Sequence, residues 1–209
     1  RSFRLIDRPF AHGINHYLGH LPSQVLNLLT SREHKFPIAV LDIGGGRKSR
    51  AAGEIASGYG CRVRVTNLEL MPEIQAKRPN GVRYIEGDIC DIWQITGGSI
   101  DFAMTYQVLP RFERESADYQ KALMEIARVL SPGGIALIDE PKYSAMGPTD
   151  RRLLKFQEAN HVLLQRRSGN CVEKDKAVFG TVYWSFLMML KSPFDQQVLR
   201  IREKLVPTL

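Results

Sequence analysis

Glycines and carboxylates at the ends of apolar runs are the residues of this sequence best suited to bind a nucleoside-like ligand. The segment "LDIGGG" places Gly44 and Gly46 directly after an apolar run. Glycines there allow close backbone approach, and a following helix start offers free N–H groups. Glu69 ends the next run, where its carboxylate can accept hydrogen bonds from both hydroxyls of a ribose. Asp88 lies at the end of a third run and can accept from the exocyclic amine of an adenine.

The glycine loop alone is compatible with two classes of cofactor. A dinucleotide fingerprint reads G-x-G-x-x-G, and Ser49 stands where its third glycine is expected. Three cations, Arg47, Lys48 and Arg50, follow the second glycine, and each would oppose a helix dipole by about 0.3–1 kcal/mol when exposed. Three interpretations stay open. Arg47 or Lys48 meets a carboxylate of the cofactor or an anionic substrate, both point to water, or the cofactor site is degenerate.

Histidines near the N-terminus are the candidate catalytic bases. The segment "HGINHYLGH" spaces His12, His16 and His20 four residues apart, which on a helix would align three imidazoles on one face. Gly13 and Gly19 weaken such a helix, and neutral histidines also line pockets as polar groups, so we predict no metal site. A histidine beside a substrate can act as a general base, which makes His12 and His16 candidates.

The elements that must position these residues follow a βαβ pattern. Short apolar runs alternate with amphipathic ones, which is typical of a mostly parallel sheet. The carboxyl ends of parallel strands meet at one edge, so the glycine turn and the two carboxylates are expected to lie together. The pattern predicts strands over residues 38–43, 62–70, 81–89, 100–106 and 135–140, and helices over residues 49–60 and 115–130. Gly58 and Gly60 are expected to stop the first helix, and "SPGG" the second.

Two flanks surround this core. The pattern predicts helices near residues 22–29 and over 149–167, a strand of a sheet-closing hairpin in the aromatic run from Val178, and an amphipathic piece over 194–205. We therefore expect one domain in three parts: an N-terminal helical cap (1–35), a cofactor-binding core (36–141) and a sheet-completing segment (142–209).

Composition narrows the class of protein. The chain has 209 residues and a formal charge of +7, but its basic residues are scattered among acids, so a nucleic-acid partner is possible and not favoured. Three cysteines without a C-x-x-C pair indicate reduced thiols, and the first residues show no charged-then-apolar pattern, so we expect no secreted precursor. No apolar run approaches the roughly 18–20 residues of a membrane span. We therefore expect a cytoplasmic protein without membrane attachment.

Five segments in order resemble the class I S-adenosylmethionine-dependent methyltransferases, most closely their small-molecule branch. They are "VLDIGGG", "VTNLELMPE", "YIEGDI", "IDFAMTYQVLPRF" and "ARVLSPGGIALIDEP", which together lie within residues 38–141. The resemblance implies an α/β, Rossmann-like three-layer sandwich with a mostly parallel seven-stranded sheet and a reversed C-terminal hairpin.

The same resemblance implies S-adenosylmethionine as the cofactor and assigns its contacts residue by residue. Asp42, Gly44 and Gly46 would shape the pocket for the methionine end, and Glu69 would bind the ribose. The adenine would be surrounded by Leu70, Asp88 and Ile89. The cofactor and the methyl acceptor would be approached by Thr105, Tyr106 and Gln107, of which Tyr106 is a further candidate catalytic residue.

Methyl transfer from a sulfonium is an in-line displacement, which positioning in a dry pocket can accelerate. We predict a small-molecule or flexible polar acceptor. Thr105-Tyr106-Gln107 replaces the Asn/Asp-Pro-Pro-aromatic motif of amino-methylating DNA enzymes, which disfavours that class. Two alternatives stay open: a methyltransferase-like binding or regulatory subunit without catalysis, and an RNA methyltransferase supported by charge alone. A nicotinamide-dependent dehydrogenase is disfavoured by Ser49.

Overall fold

The computed structural model describes most of the core and parts of both flanks. The described residues are 21–31, 37–45, 50–70, 78–105, 108–109, 112, 116–140, 162–171 and 182–191.

Five parallel strands form the centre of the sheet, in the order β3-β2-β1-β4-β5. The strands are β1 (Ile38–Ile43), β2 (Val63–Glu69), β3 (Val82–Glu86), β4 (Ile100–Thr105) and β5 (Leu130–Glu140). All six residues of β1 are buried, as expected for a central strand covered on both faces. The predicted α/β, Rossmann-like, mostly parallel architecture is confirmed.

Helices cover both faces of this sheet. They are α1 (Leu21–Ser31), α2 (Arg50–Tyr59) and α3 (Ala117–Val129). Alternate residues of β1 face opposite layers: Ile38 and Val40 share a buried cluster with α1 and α2, while Leu41 and Ile43 share one with α3. None of the described helices is both long enough and apolar enough to cross a bilayer.

The ends of the helices follow local capping chemistry. The side chain of Ser116 accepts a hydrogen bond from the Tyr119 backbone N–H at 3.1 Å, which caps the start of α3. Gly58 lies inside α2, so the prediction that it helps to stop the helix is wrong. Gly60, with φ +56°, follows the last residue of α2 and begins a short 3-10 turn (Gly60–Arg62), so its left-handed conformation ends the α-helix.

The fifth strand starts earlier than predicted. It begins at Leu130, directly after α3, and "SPGG" forms a register irregularity within it rather than a break before it. Ile100 pairs with Leu130, and Phe102 pairs with Ile135. A Cβ atom on Gly134 would lie 2.9 Å from the carbonyl oxygen of Ile100, so the close approach to β4 requires glycine there.

Two further strands, β6 (Val162–Cys171) and β7 (Val182–Lys191), continue the sheet in the order β5-β7-β6, with β7 antiparallel to both neighbours. The predicted helix over residues 149–167 is wrong for 162–167, which pair along β7. Pairing with β7, which lies outside the segment, decides the conformation there, and periodicity within the segment cannot report this pairing. Residues 149–161 and 194–205 lie outside the described residues.

Candidate cofactor-binding site

A tight turn at Gly44 forms the end of β1. Gly44 has φ +70°, and its N–H donates a 2.8 Å hydrogen bond to the carbonyl oxygen of Leu68, which ties the turn to β2. A Cβ atom there would overlap Cγ2 of Val108. Both the backbone conformation and the approach of Val108 therefore require glycine.

A cavity of about 310 Å³ lies beside this turn, at the carboxyl ends of β1, β2 and β3. Open α/β sheets bind ligands at this edge. The residues that line the cavity are Ile43, Gly44, Leu68, Glu69, Leu70, Gly87, Asp88, Ile89, Val108 and Phe112.

Half of these lining residues are among the cofactor contacts that the sequence predicts. They are Gly44, Glu69, Leu70, Asp88 and Ile89. The structure thus brings three separate sequence segments around one cavity. Leu70 is 61% exposed, which is unusual for a leucine and places an apolar side chain at the cavity wall.

The other predicted contacts are buried or not described. Asp42 and Thr105 are buried at the ends of β1 and β4 and do not line the cavity. Several predicted residues lie outside the described part of the chain, so the expectations for them stay predictions. They are the cofactor contacts Gly46 and Gln107, the candidate catalytic residues His12, His16 and Tyr106, and the cations Arg47 and Lys48.

Asp88 lies in a turn two residues beyond the end of β3, which is shorter than the predicted strand over 81–89. Its Oδ1 accepts a 2.8 Å hydrogen bond from the Cys90 backbone N–H. The N–H of Gly87 donates to the carbonyl oxygen of Glu69 at 2.9 Å, which joins this turn to the end of β2. The carboxylate therefore caps its own turn with one oxygen while it lines the cavity.

Asp42 is the most perturbed acid among the described residues. Burial is the main cause that raises its pKa to about 7, and the negative charge of Glu69 adds to the rise. A hydrogen bond from the backbone of Ala52 opposes both effects. Within the described structure, no group donates a hydrogen bond to its Oδ2.

Two residues of this edge escaped the sequence analysis. A Cβ atom on Gly45 would overlap Oδ2 of Asp42 and lie 3.1 Å from Oδ1 of Asn67, so the approach of these side chains requires glycine at position 45. Asn67 is fully buried in β2. A polar residue two positions after Val65 and four after Val63, in phase with these buried valines, is the signal that could have identified it.

Cys90 is not arranged as a nucleophile. Burial raises its pKa to about 11, and the charges of Asp88 and Asp118 add to the rise, so the thiol stays protonated near neutral pH. Within the described ranges, no three His, Cys, Asp or Glu side chains are grouped to hold a metal ion.

Comparison with known families decides the class of this fold. Residues 41–138 match the family model described as a methyltransferase domain. This segment is a methyltransferase domain. It contains the glycine turn, Glu69 and Asp88, and its class I family uses S-adenosylmethionine as the methyl donor, as the motifs predict. No curated protein matches the chain significantly.

Solved structures share the fold of the methyltransferase domain at low sequence identity. A putative sarcosine dimethylglycine methyltransferase from Galdieria sulphuraria is 16% identical, with a TM-score of 0.56, over 82% of this chain and 84% of that one. The 1,6-didemethyltoxoflavin-N1-methyltransferase from Burkholderia thailandensis, with its substrate and S-adenosylhomocysteine bound, is 18% identical, with a TM-score of 0.53, over 83% and 79%. An arsenic(III) methyltransferase from Chlamydomonas reinhardtii is 16% identical, with a TM-score of 0.52, over 81% and 73%.

Proposed function

We propose that the methyltransferase domain binds S-adenosylmethionine in this cavity and transfers its methyl group to a small-molecule or flexible polar acceptor. The observation that carries the proposal is the lining of the cavity. Two carboxylates and a leucine side chain that is otherwise exposed meet there beside a glycine turn.

Each part of this lining has a complementary group on the cofactor. Glu69 accepts hydrogen bonds from the two ribose hydroxyls, because a carboxylate offers two acceptor oxygens. Leu70 and Ile89 cover the adenine ring, and the second oxygen of Asp88 accepts from its amine. Gly44 lets the backbone approach the methionine end. On the motif resemblance, the remaining proposed contacts are Asp42, Gly46, Thr105 and Gln107.

Charge favours this ligand over a dinucleotide. Glu69 and Asp88 are the charged residues of the cavity wall as described, and no lysine or arginine accompanies them. A pyrophosphate would meet two negative charges, whereas a sulfonium with an ammonium group is attracted to them. Sites for both ligand classes use a carboxylate side chain to bind the ribose hydroxyls. The charge of the rest of the ligand is therefore what favours the sulfonium over the pyrophosphate.

When bound, the cofactor supplies a methyl group on a positively charged sulfur, which an acceptor lone pair displaces in line. The chain contributes orientation and a dry pocket, with apolar walls from Ile43, Leu68 and Phe112. An acceptor that must lose a proton needs a base, for which we propose His12, His16 or Tyr106.

The remaining parts of the chain receive roles consistent with this activity. We propose that residues 1–35 cover the acceptor side and that residues 142–209 complete the sheet, with β6 and β7 as the reversed hairpin of a seven-stranded methyltransferase fold. The names of the similar structures describe small-molecule methyltransferases, which supports an acceptor of that class. Location in the cytoplasm stays a prediction.

Titration calorimetry with S-adenosylhomocysteine tests the proposal, with NAD as the competing ligand. We expect micromolar binding of the former and none of the latter. Glu69→Gln should weaken binding about tenfold or more, because hydrogen bonds to a charged group are lost. Glu86 is the matched control, since it pairs with Glu69 across β2 and β3 but does not line the cavity.

Glu86→Gln should therefore leave binding unchanged. Equal losses in both variants would assign the effect to general charge, and no binding by the wild-type protein would overturn the proposed function.

A further inference from the structure

Asp42 and Asn67 form a buried polar pair at the carboxyl ends of β1 and β2. They are paired positions in the parallel register, and they are 3% and 0% exposed, respectively. Neither residue lines the cavity. Polar groups at such depth are costly unless they interact, so the conjunction of two of them indicates a specific role.

The two side chains meet beneath Gly45. A Cβ atom on Gly45 would overlap Oδ2 of Asp42 and come within 3.1 Å of Oδ1 of Asn67. The pair therefore lies directly against the backbone of the turn. Gly45 is bonded to Gly44, which lines the cavity. A displacement of the Asp42 and Asn67 side chains would therefore move the cavity wall through one peptide unit.

Asparagine is chemically matched to this position. A carboxamide accepts a hydrogen bond from a carboxylic acid and, after a half-turn of its amide, donates one to a carboxylate. It can thus interact with Asp42 in either protonation state. No described group donates to Oδ2 of Asp42, and Oδ1 of Asn67 lies against the same side of Gly45 as this oxygen.

We propose that Asn67 is a positioning residue for the methyl donor. Together with Asp42 it holds the Gly44–Gly45 turn at the distance from β2 that the cofactor requires. This inference rests on the proposed function, because it concerns the same site, and it adds a residue to which the motif resemblance assigns no role.

Valine and threonine at position 67 separate polarity from shape. Their side chains have nearly the same form, and only threonine carries a hydroxyl group that can both donate to and accept from Asp42. A role in packing alone predicts the same outcome for both variants. Thr30→Val is the matched control, since it removes a buried hydroxyl that donates to the carbonyl oxygen of Leu26 at 2.8 Å in α1.

Titration calorimetry with S-adenosylhomocysteine provides the measurement. We expect Asn67→Val to raise Kd about tenfold, as for the loss of one buried hydrogen-bonding partner, and Asn67→Thr to stay within about threefold of wild type. The Thr30→Val protein should bind like wild type. Should Asn67→Val not fold, Asn67→Ala against Asn67→Ser makes the same comparison with smaller side chains.

Equal affinities of the polar and apolar variants, with wild-type binding intact, would overturn this inference and leave the proposed function standing. A wild-type protein that does not bind S-adenosylhomocysteine would overturn both.

Discussion

Glu69 and Asp42 lie at the ends of adjacent strands and occupy opposite environments. Glu69 lines the cavity, whereas Asp42 is buried and its pKa is raised to about 7 by burial and by the charge of Glu69. A raised pKa means that the folded protein retains a proton that the unfolded chain releases. Asp42 should therefore contribute to the pH dependence of the stability of the domain.

Asp42→Asn removes that contribution. The folded-state pKa of about 7 exceeds the ordinary 3.8. The stabilising contribution of the bound proton is therefore fully present below the unfolded-state pKa. It is lost as pH rises through the folded-state pKa. In wild type this group should reduce the free energy of unfolding by up to about 1.4 kcal/mol per pH unit within that window. Urea denaturation of both proteins from about pH 5 to about pH 8 measures the difference, and a gap independent of pH would contradict the assignment.

Gly44→Ala tests the turn beside the cavity. Gly44 and Gly98 share φ +70°, but a Cβ atom on Gly98 would meet nothing within 4 Å, whereas one on Gly44 would overlap Val108. Gly98→Ala therefore measures backbone strain alone, about 1 kcal/mol or more, and Gly44→Ala should cost about 1–3 kcal/mol beyond it. Chemical denaturation provides both values.

Val108→Ala should recover part of the extra cost of Gly44→Ala, because it removes the methyl group that the new Cβ overlaps. Equal costs of the two glycine substitutions would show that the approach of Val108 is unimportant.

The sequence predicts those residues of the site whose role follows from their position along a strand. Glu69 and Asp88 lie at the ends of predicted strands, so their place at the ligand edge could be read from the sequence. The constraint on Gly45 and the partnership of Asn67 depend on which strands become neighbours. Chain pattern alone contains no such information.

At the scale of elements, hydrogen bonds attach the segment between β3 and β4 to α3. Arg128 donates hydrogen bonds to the carbonyl oxygens of Ile92 and Ile95, at 2.8 and 3.1 Å, and to Glu125. Glu125 in turn accepts from the backbone N–H of Ile92 at 2.8 Å. The same segment contains Asp88, so α3 supports the cavity wall indirectly.

Arg128→Met should loosen this attachment. The substitution removes charge-assisted hydrogen bonds and leaves two carbonyl oxygens without this donor. It should therefore lower the free energy of unfolding by about 1–3 kcal/mol. Lys121→Met on the same helix is the control, because its ion pair with Asp118 spans 3.7 Å and both side chains are about 60% exposed. Such a pair contributes about 0–1 kcal/mol. Urea denaturation compares the variants, and equal effects would contradict the fastening role.

Elements with a strong local pattern were predicted well, and those whose conformation depends on pairing with another segment were not. Five strands and α3 follow apolar periodicity, so their existence could be deduced. Residues 162–167 form part of β6 through pairing with β7, although their own pattern suggested a helix. The start of β5 at Leu130 likewise depends on pairing with Ile100 in β4.

At the scale of the whole molecule, overall charge and local charge point in opposite directions. The chain carries a formal charge of +7, yet the charged residues of the described cavity wall are both acids. Net charge governs solubility and non-specific association, whereas recognition follows the groups at the site. The basic composition is therefore weaker evidence about the substrate than Glu69 and Asp88 are.

A crystal structure of the protein with S-adenosylhomocysteine tests this account most directly. We predict that the adenosine occupies the cavity beside Gly44, with both ribose hydroxyls about 2.5–3.0 Å from the carboxylate oxygens of Glu69 and the adenine against Leu70. A ligand bound elsewhere, or one in the cavity whose ribose does not reach Glu69, would contradict it.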